Sequence, residues 1–262
     1  MKDKVIVITG ASSGIGEALA SAVAARGAHG VVLAARRGDE LSTLAARLGD
    51  SALAVVTDVT VRADVERLRD RALERFGRID VWVNNAGRGI TRNVTDLTDA
   101  DVDEMITINV KSVLYGIQAV LPHFRDRKRG HLITTSSMLG RVALAPMRSA
   151  YSAAKAAVNS LMMSLRLELR PQFPDIHLTT VIPGVVHTQF GANALHGGPD
   201  SRALPNAQPV DDVATAIADA IEHPRAELYT RPELLQLAAR YYSADDVATV
   251  ESGPPFSMVP RR

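Results

Sequence analysis

Apolar positions along the chain fall into short runs separated by amphipathic stretches. Val5 to Ile8, Gly30 to Ala35, Ala52 to Thr57, Ile79 to Val83, His131 to Thr135 and Ile176 to Ile182 are brief and rich in β-branched residues. Runs of that length without polar alternation predict strands covered on both faces. Helical spacing fills the intervals at Glu17 to Arg26, Leu41 to Leu48, Val61 to Phe76, Thr98 to about Val120, and Ser149 to Arg170. Strand and helix taking turns predicts an α/β architecture, a doubly wound parallel sheet with helices on both faces. Pro122 is expected to break the fourth of these helices. The pattern thins after Ile182. Phe190 to Pro209 is rich in Gly, Ala, Asn and Pro and reads as a mobile loop beside a site. Val210 to Ile221 predicts a helix, Glu227 to Thr230 an edge strand, and Pro232 to Tyr242 a helix with proline in its first turn. Ser252 to Arg262 reads as a docked or frayed tail. The chain is thus expected to be a single domain over 1–262, with 189–209 as a substrate loop and 231–262 as a C-terminal extension.

Chemistry enters at the ends of these strands. Val5 to Ile8 runs into Thr9-Gly10-Ala11-Ser12-Ser13-Gly14-Ile15-Gly16 and then a helix. Strand, glycine turn and helix in succession suit a dinucleotide, because glycine permits close backbone approach and the helix N-terminus offers free N–H groups to a pyrophosphate. That makes the fold Rossmann-like, although the spacing is Gly-x-x-x-Gly-x-Gly rather than Gly-x-Gly-x-x-Gly. About 20 residues past the turn, where a carboxylate would bind the ribose of NAD, stand Arg36 and Arg37, and no acid appears before Asp39. A guanidinium suits the 2′-phosphate of NADP(H); the bland alternative is a solvated arginine pair opening a helix. Asp58 and Val59 follow the third strand, where Asp58 can face an adenine or cap the next helix. Asn84-Asn85-Ala86-Gly87 follows the fourth, as a ligand contact or as a plain turn.

Composition narrows the classes. With 46% hydrophobic and 23% charged residues and a net charge of +1, the chain has an ordinary core and no reason to seek a polyanion. Arg125 to Arg129 is accordingly read as solvated surface, with no nucleic acid and no membrane expected as partners. Zero cysteines exclude disulfides and thiolate chemistry. The opening apolar run is too short for a signal peptide, so a cytoplasmic location is expected. No metal is expected, since the seven histidines show no ligand spacing. Asp99, Asp101 and Asp103 fail as a calcium loop because Glu104 and Val110 stand where glycine and glutamate are required. Thr98 to Asp101 instead has the form of a helix cap.

Tyr151 and Lys155 are four residues apart, on one face of the predicted helix. An ammonium about 4 Å from a phenol is worth roughly 4 kcal/mol at an effective dielectric of about 20. That amounts to about three pKa units, the shift a tyrosine needs to act near neutrality. Asn109 lies among Ile106, Ile108, Val110 and Val113, where an amide must be hydrogen-bonded, as structural glue or within a site. Met138, Leu139, Val142, Leu144 and Met147 lie between the strand-five serines and Tyr151 and can line a pocket or the core.

Taken together, Thr9-Gly10-x-x-x-Gly14-x-Gly16, Asn84-Asn85-Ala86-Gly87, Asn109, a strand-five serine and Tyr151-x-x-x-Lys155 resemble the short-chain dehydrogenase/reductase family over roughly residues 4 to 190. The resemblance implies an oxidoreductase that moves a hydride between NADP(H) and a carbonyl or alcohol, here expected to be small to medium and apolar. It implies Tyr151 as proton donor and Lys155 as the residue that lowers its pKa and holds the nicotinamide ribose. It further implies a serine that polarises the substrate oxygen and Asn109 as anchor of a relay water. The serine is matched to Ser137, with Ser136 as the other candidate. The glycine-turn residues Gly10, Ser12, Ser13, Gly14, Ile15 and Gly16, with Asn85, Ala86 and Gly87, would hold the cofactor. Pro183, Gly184, Val186 and Thr188 match the segment that contacts its nicotinamide half. The family's usual C-terminal end is replaced by Thr230-Arg231-Pro232 and an extra helix, leaving homodimer and homotetramer equally open. An NADP-sensing or scaffold protein on the same fold is the alternative reading.

Overall fold

The first apolar run becomes the centre of the molecule. In the computed structural model, which describes residues 1–256, the strands are β1 (Val5–Thr9), β2 (Gly30–Ala35), β3 (Ala52–Val56), β4 (Val81–Asn84), β5 (Gly130–Thr135), β6 (Ile176–Ile182) and β7 (Glu227–Tyr229). They form one parallel sheet in the order β3-β2-β1-β4-β5-β6-β7. The order reverses between β1 and β4, the point at which sheets of this kind hold a ligand crevice beyond the carboxyl ends of the strands.

Two helical layers cover the sheet. Successive residues of a strand point to opposite faces, so β1 sends Ile6 and Ile8 to one core and Val7 to the other. The first core lies beneath α1 (Gly14–Ala25), α2 (Gly38–Leu48) and α7 (Val210–Glu222). The second lies beneath α3 (Arg62–Phe76), α5 (Ser112–Arg127) and α6 (Ser149–Leu169) and contains the fully buried Trp82 and Phe124. Full burial of one such side chain contributes about 1.5–3 kcal/mol. This two-sided coverage is what the unbroken apolar runs require. α4 (Asp99–Ile106) opens on the expected cap, with Thr98 Oγ1 accepting from the Asp101 amide at 3.2 Å and the Asp101 carboxylate accepting from the Thr98 amide at 3.0 Å.

Some expectations are corrected. Pro122 does not end its helix; α5 continues through it to Arg127. Pro122 is exposed, so the carbonyl it frees faces water, while Phe124 buries itself against the sheet and Arg127 pairs with Asp80 at 3.0 Å. Those anchors outweigh the lost helical bond. Arg125 to Arg129 is therefore not merely solvated surface, because Arg127 fastens the helix end to the start of β4 and also donates to the Ile79 carbonyl at 2.8 Å. The first helix begins at Gly14, three residues earlier than expected, so the glycine turn forms its first turn. Past β7, on the sheet's edge, α8 (Pro232–Tyr242) packs over Met138, Val142 and Ile182, and α9 (Val247–Glu251) follows. The expected tail, Ser252 to Arg262, lies outside the described residues from 257 onward.

Candidate active site

At the end of β1 the backbone turns through Gly10 (φ +69°) and Gly14 (φ +59°), conformations that favour glycine. Gly16 is glycine for a different reason. A Cβ there would stand 2.3 Å from the Gly10 carbonyl oxygen and 2.7 Å from Asn85 Nδ2, so only a bare backbone lets α1 close onto β1. The Asn85 amide donates to the Thr9 carbonyl at 3.0 Å, and its oxygen accepts from Thr135 Oγ1 at 3.3 Å. Thr9 Oγ1 in turn accepts from the Asn85 and Ala86 amides at 3.0 and 3.1 Å. The tetrapeptide after β4 thus knits β1, β4 and β5 together at the edge where a ligand would lie.

Arg37 folds back onto the glycine turn. It donates to the Ser12 hydroxyl at 2.9 Å, the Ser13 hydroxyl at 2.7 Å and the Ser12 carbonyl at 3.2 Å. Arg36 is exposed beside it and forms no ion pair among the described residues. The Asp58 carboxylate accepts from the Thr60 amide and hydroxyl at 2.9 and 2.7 Å, a local turn and not the expected cap, since α3 begins after Val61 with no side-chain cap bond. Val59 is buried against α3. The residues that line the other end of the crevice leave β6. Pro183 accepts from the Met138 amide at 2.8 Å, Gly184 lies against Leu234, and Thr188 reaches a Cβ position on Gly14 at 3.2 Å.

Tyr151 and Lys155 share one face of α6 and are almost fully buried. The ammonium lies 5.7 Å from the centre of the phenol ring and donates to the Thr135 carbonyl at 2.8 Å. Its position is set from below: Ser136 Oγ donates to the Lys155 carbonyl at 3.3 Å, and a Cβ on Gly140 would come within 2.7 Å of the Lys155 backbone. Burial pushes the Tyr151 phenol up to about 12, with the Ser137 hydroxyl and the Arg148 charge pulling the other way. Burial likewise lowers Lys155 to about 8. The phenol therefore differs from the expected depression, because desolvation outweighs the attraction and the ammonium is turned toward a carbonyl. At neutral pH Tyr151 holds its proton.

The two serines separate cleanly. Ser136 is turned toward the backbone of α6, whereas Ser137 stands by the phenol and accepts from the Leu139 amide at 3.1 Å. Asn109 is fully buried in a single π-helical turn, Thr107–Lys111, between α4 and α5. Its amide donates to the Arg88 and Met105 carbonyls at 3.0 and 3.1 Å and accepts from the Arg88 amide at 3.2 Å. A Cβ on Gly87 would meet Asn109 Oδ1 at 2.8 Å and Lys155 Nζ at 3.5 Å, so these three residues converge.

A family model described as short chain dehydrogenase matches residues 4–197. The chain belongs to the short-chain dehydrogenase family. An uncharacterized oxidoreductase of Listeria innocua is 43% identical over 194 residues, spanning 72% of this chain and 77% of the relative. A short-chain dehydrogenase/reductase from Burkholderia phymatum in complex with NAD superposes with a TM-score of 0.87 at 26% identity, covering 99% of each chain. An alcohol dehydrogenase from the archaeon Thermococcus sibiricus complexed with 5-hydroxy-NADP gives a TM-score of 0.76 at 32% identity, covering 87% of this chain and 96% of the other. The chain is thus an oxidoreductase of a family whose members bind nicotinamide cofactors.

Around this family core stand residues that sequence reasoning missed. Phe190 places its ring 5.4 Å from that of Tyr151. The segment after it, expected to be mobile, is instead pinned. Leu195 pairs with Gly89 and Thr91 through backbone bonds of 2.8 and 2.9 Å, and His196 meets the buried Asp101 at 2.6 Å. Asp101 also holds Arg92 at 2.8 Å. The reason is that its carboxylate serves both the cap of α4 and the loop, and only the first use has a local signature. Met138 and Val142 are core beneath α8, while Leu139 packs beside Tyr151. Arg148, three residues before Tyr151, lies half-buried next to the phenol.

Proposed function

We propose that the chain interconverts a carbonyl and an alcohol by hydride transfer with NADP(H), on a substrate of small to medium size with an apolar body. The observation that carries this reading is the buried Tyr151, holding its proton beside Ser137 and four residues from Lys155, at the same sheet edge as the glycine turn. The residues fit a dinucleotide. Gly10, Gly14 and Gly16, with Ser12, Ser13 and Ile15, form a turn, at positive φ in Gly10 and Gly14, that opens α1 close against β1 with its backbone bare at the glycines, and Asn85, Ala86 and Gly87 border it. Arg36, exposed and with no ion pair among the described residues, and Arg37, fastened to both turn serines, present positive charge where a 2′-phosphate would lie. Asp58 and Val59 would border the adenine, and Pro183, Gly184, Val186 and Thr188 the nicotinamide end. The bound cofactor supplies or accepts the hydride.

In the direction of reduction, Ser137 donates a hydrogen bond to the substrate oxygen and Tyr151 gives it a proton, so that one hydride and one proton convert C=O to CH–OH. Lys155 stabilises the phenolate left behind. Asn109 has committed both amide hydrogens to backbone carbonyls, and the remaining lone pair of Oδ1 is available to a relay water near Gly87 and Lys155. Reversal of the same steps oxidises an alcohol. A cytoplasmic location and a homodimer or homotetramer accord with this reading.

A binding titration followed by NAD(P)H fluorescence tests the cofactor assignment. NADPH is expected to bind at least tenfold more tightly than NADH. Preference for NADH would overturn Arg36 as the phosphate ligand, and binding of neither would return the chain to the scaffold reading.

A further inference from the structure

Three arginines reach the rim of the site from the loop after β4 and the segment before α6, and two of them have partners. Arg88 pairs with Glu104 at 2.6 Å and Arg92 with Asp101 at 2.8 Å. Arg148 forms no ion pair among the described residues; its side chain donates only from Nη1 to the Ile90 carbonyl, at 3.2 Å. Its Nε and Nη2 make no hydrogen bond among the described residues and are not sealed from solvent, so a planar anion can reach them. Burial does hold its pKa below the ordinary value, with only the Tyr151 phenol acting in the other direction.

Glycine backbone packs close on two sides of the guanidinium. A Cβ on Gly89 would stand 3.2 Å from Arg148 Nη1, 3.0 Å from Phe190 Cε1 and 3.4 Å from the Ala194 methyl. A Cβ on Gly198 would stand 3.0 Å from Arg148 Nη2. Glycine on both sides keeps side chains off the guanidinium, and the Phe190 ring that borders it also covers Tyr151. Phenol, aromatic ring and a guanidinium with no ion pair among the described residues are therefore neighbours.

Building on the proposed carbonyl–alcohol chemistry, we propose that Arg148 anchors a carboxylate of the substrate, making the natural substrates oxo acids and the corresponding hydroxy acids. The Nη2 and Nε edge of the guanidinium has no partner among the described residues, and a planar carboxylate meets such an edge with two parallel charge-assisted bonds. The apolar body of the substrate then lies between Leu139 and Phe190, with its carbonyl oxygen at Tyr151 and Ser137. Arg148 is a specificity residue in this account, acting on the end of the substrate remote from the hydride.

The test compares succinate semialdehyde with its methyl ester, using NADPH and the wild-type, Arg148→Gln and Arg148→Lys proteins. The wild type should favour the acid at least tenfold in kcat/KM. Arg148→Gln should bring the ratio of acid to ester down to about one, mainly through KM for the acid, and Arg148→Lys should give an intermediate ratio. An equal loss on both substrates would make Arg148 a clasp for the loop and overturn the proposal. So would a wild-type enzyme that reduces the ester as well as the acid, which would leave the carbonyl–alcohol reading standing. If the wild type reduces neither while binding NADPH, that reading fails and the inference falls with it.

Discussion

The two sides of the crevice are built on different principles. On the proposed cofactor side, residues 5 to 87 place their groups through backbone geometry: a glycine at positive φ, a strand end, a helix that can approach only because Gly16 has no side chain. On the proposed substrate side, residues 190 to 256 place theirs through side chains that meet distant partners. Phe190 leans on Tyr151, His196 reaches Asp101, and α8 lies over Met138 and Val142. The first side is a rigid fixture whose shape is written locally. The second is a surface assembled from contacts distant in the chain, which can change specificity without disturbing the first.

The largest effect should come from breaking the fixed side. Gly16→Val forces a side chain into the Gly10 carbonyl, 2.3 Å from its Cβ position. Overpacking of this kind costs about 1–3 kcal/mol or more, equivalent to a fall in Tm of several degrees for a chain of this size. NADPH binding should become undetectable by fluorescence titration. Next comes Arg36→Ala, which should weaken NADPH about tenfold or more while leaving NADH within about threefold, because one charge-assisted contact is worth about 1.5–3 kcal/mol. An equal loss for both cofactors would mean the guanidinium merely supports the turn.

On the assembled side, Asp101→Asn removes the charge that holds both Arg92 and His196. KM for the carbonyl substrate should rise about fivefold with the Kd for NADPH unchanged, and amide exchange over 191–198 should quicken. A shift in cofactor affinity instead would erase the distinction between the two sides. The smallest effect lies outside both, at the amino edge of the sheet. His131 is buried and its pKa is lowered to about 3, mainly by desolvation, with His177 and Lys4 adding to it. A folded-state pKa below the unfolded one, about 6.5, means that stability is full above pH 6.5 and is lost as pH falls from there toward 3. Thermal melts at pH 7 and 5 should show a drop of a few degrees that is smaller in His131→Gln.

The same contrast explains what the sequence revealed. Sheet, helices, glycine turn and the Tyr151–Lys155 pair were legible because each depends on spacing within one element or on strand followed by turn. Arg127 was misread, and the hold of Asp101 on the loop was missed beyond its correctly read cap, because the partners Asp80 and His196 are 47 and 95 residues away. Pro122 misled because local propensity yields when tertiary anchors such as Phe124 hold the next turn. The tyrosine's direction of shift was missed for a related reason. Helical spacing places Lys155 beside Tyr151, but the Thr135 carbonyl that turns the ammonium away comes from another strand. Arg148 carried a signal, its place three residues before Tyr151, but nothing local shows that it lacks an acidic partner.

Tyr151→Phe is the most direct test of the central claim. It removes one oxygen from a buried ring and leaves the packing against Phe190 in place. With a carbonyl substrate that the wild type turns over, kcat should fall by about 10² to 10⁴, the range of a lost general acid, while the Kd for NADPH stays within about threefold. Near-normal reduction by the phenylalanine variant would contradict the account, because the proton would then come from another group.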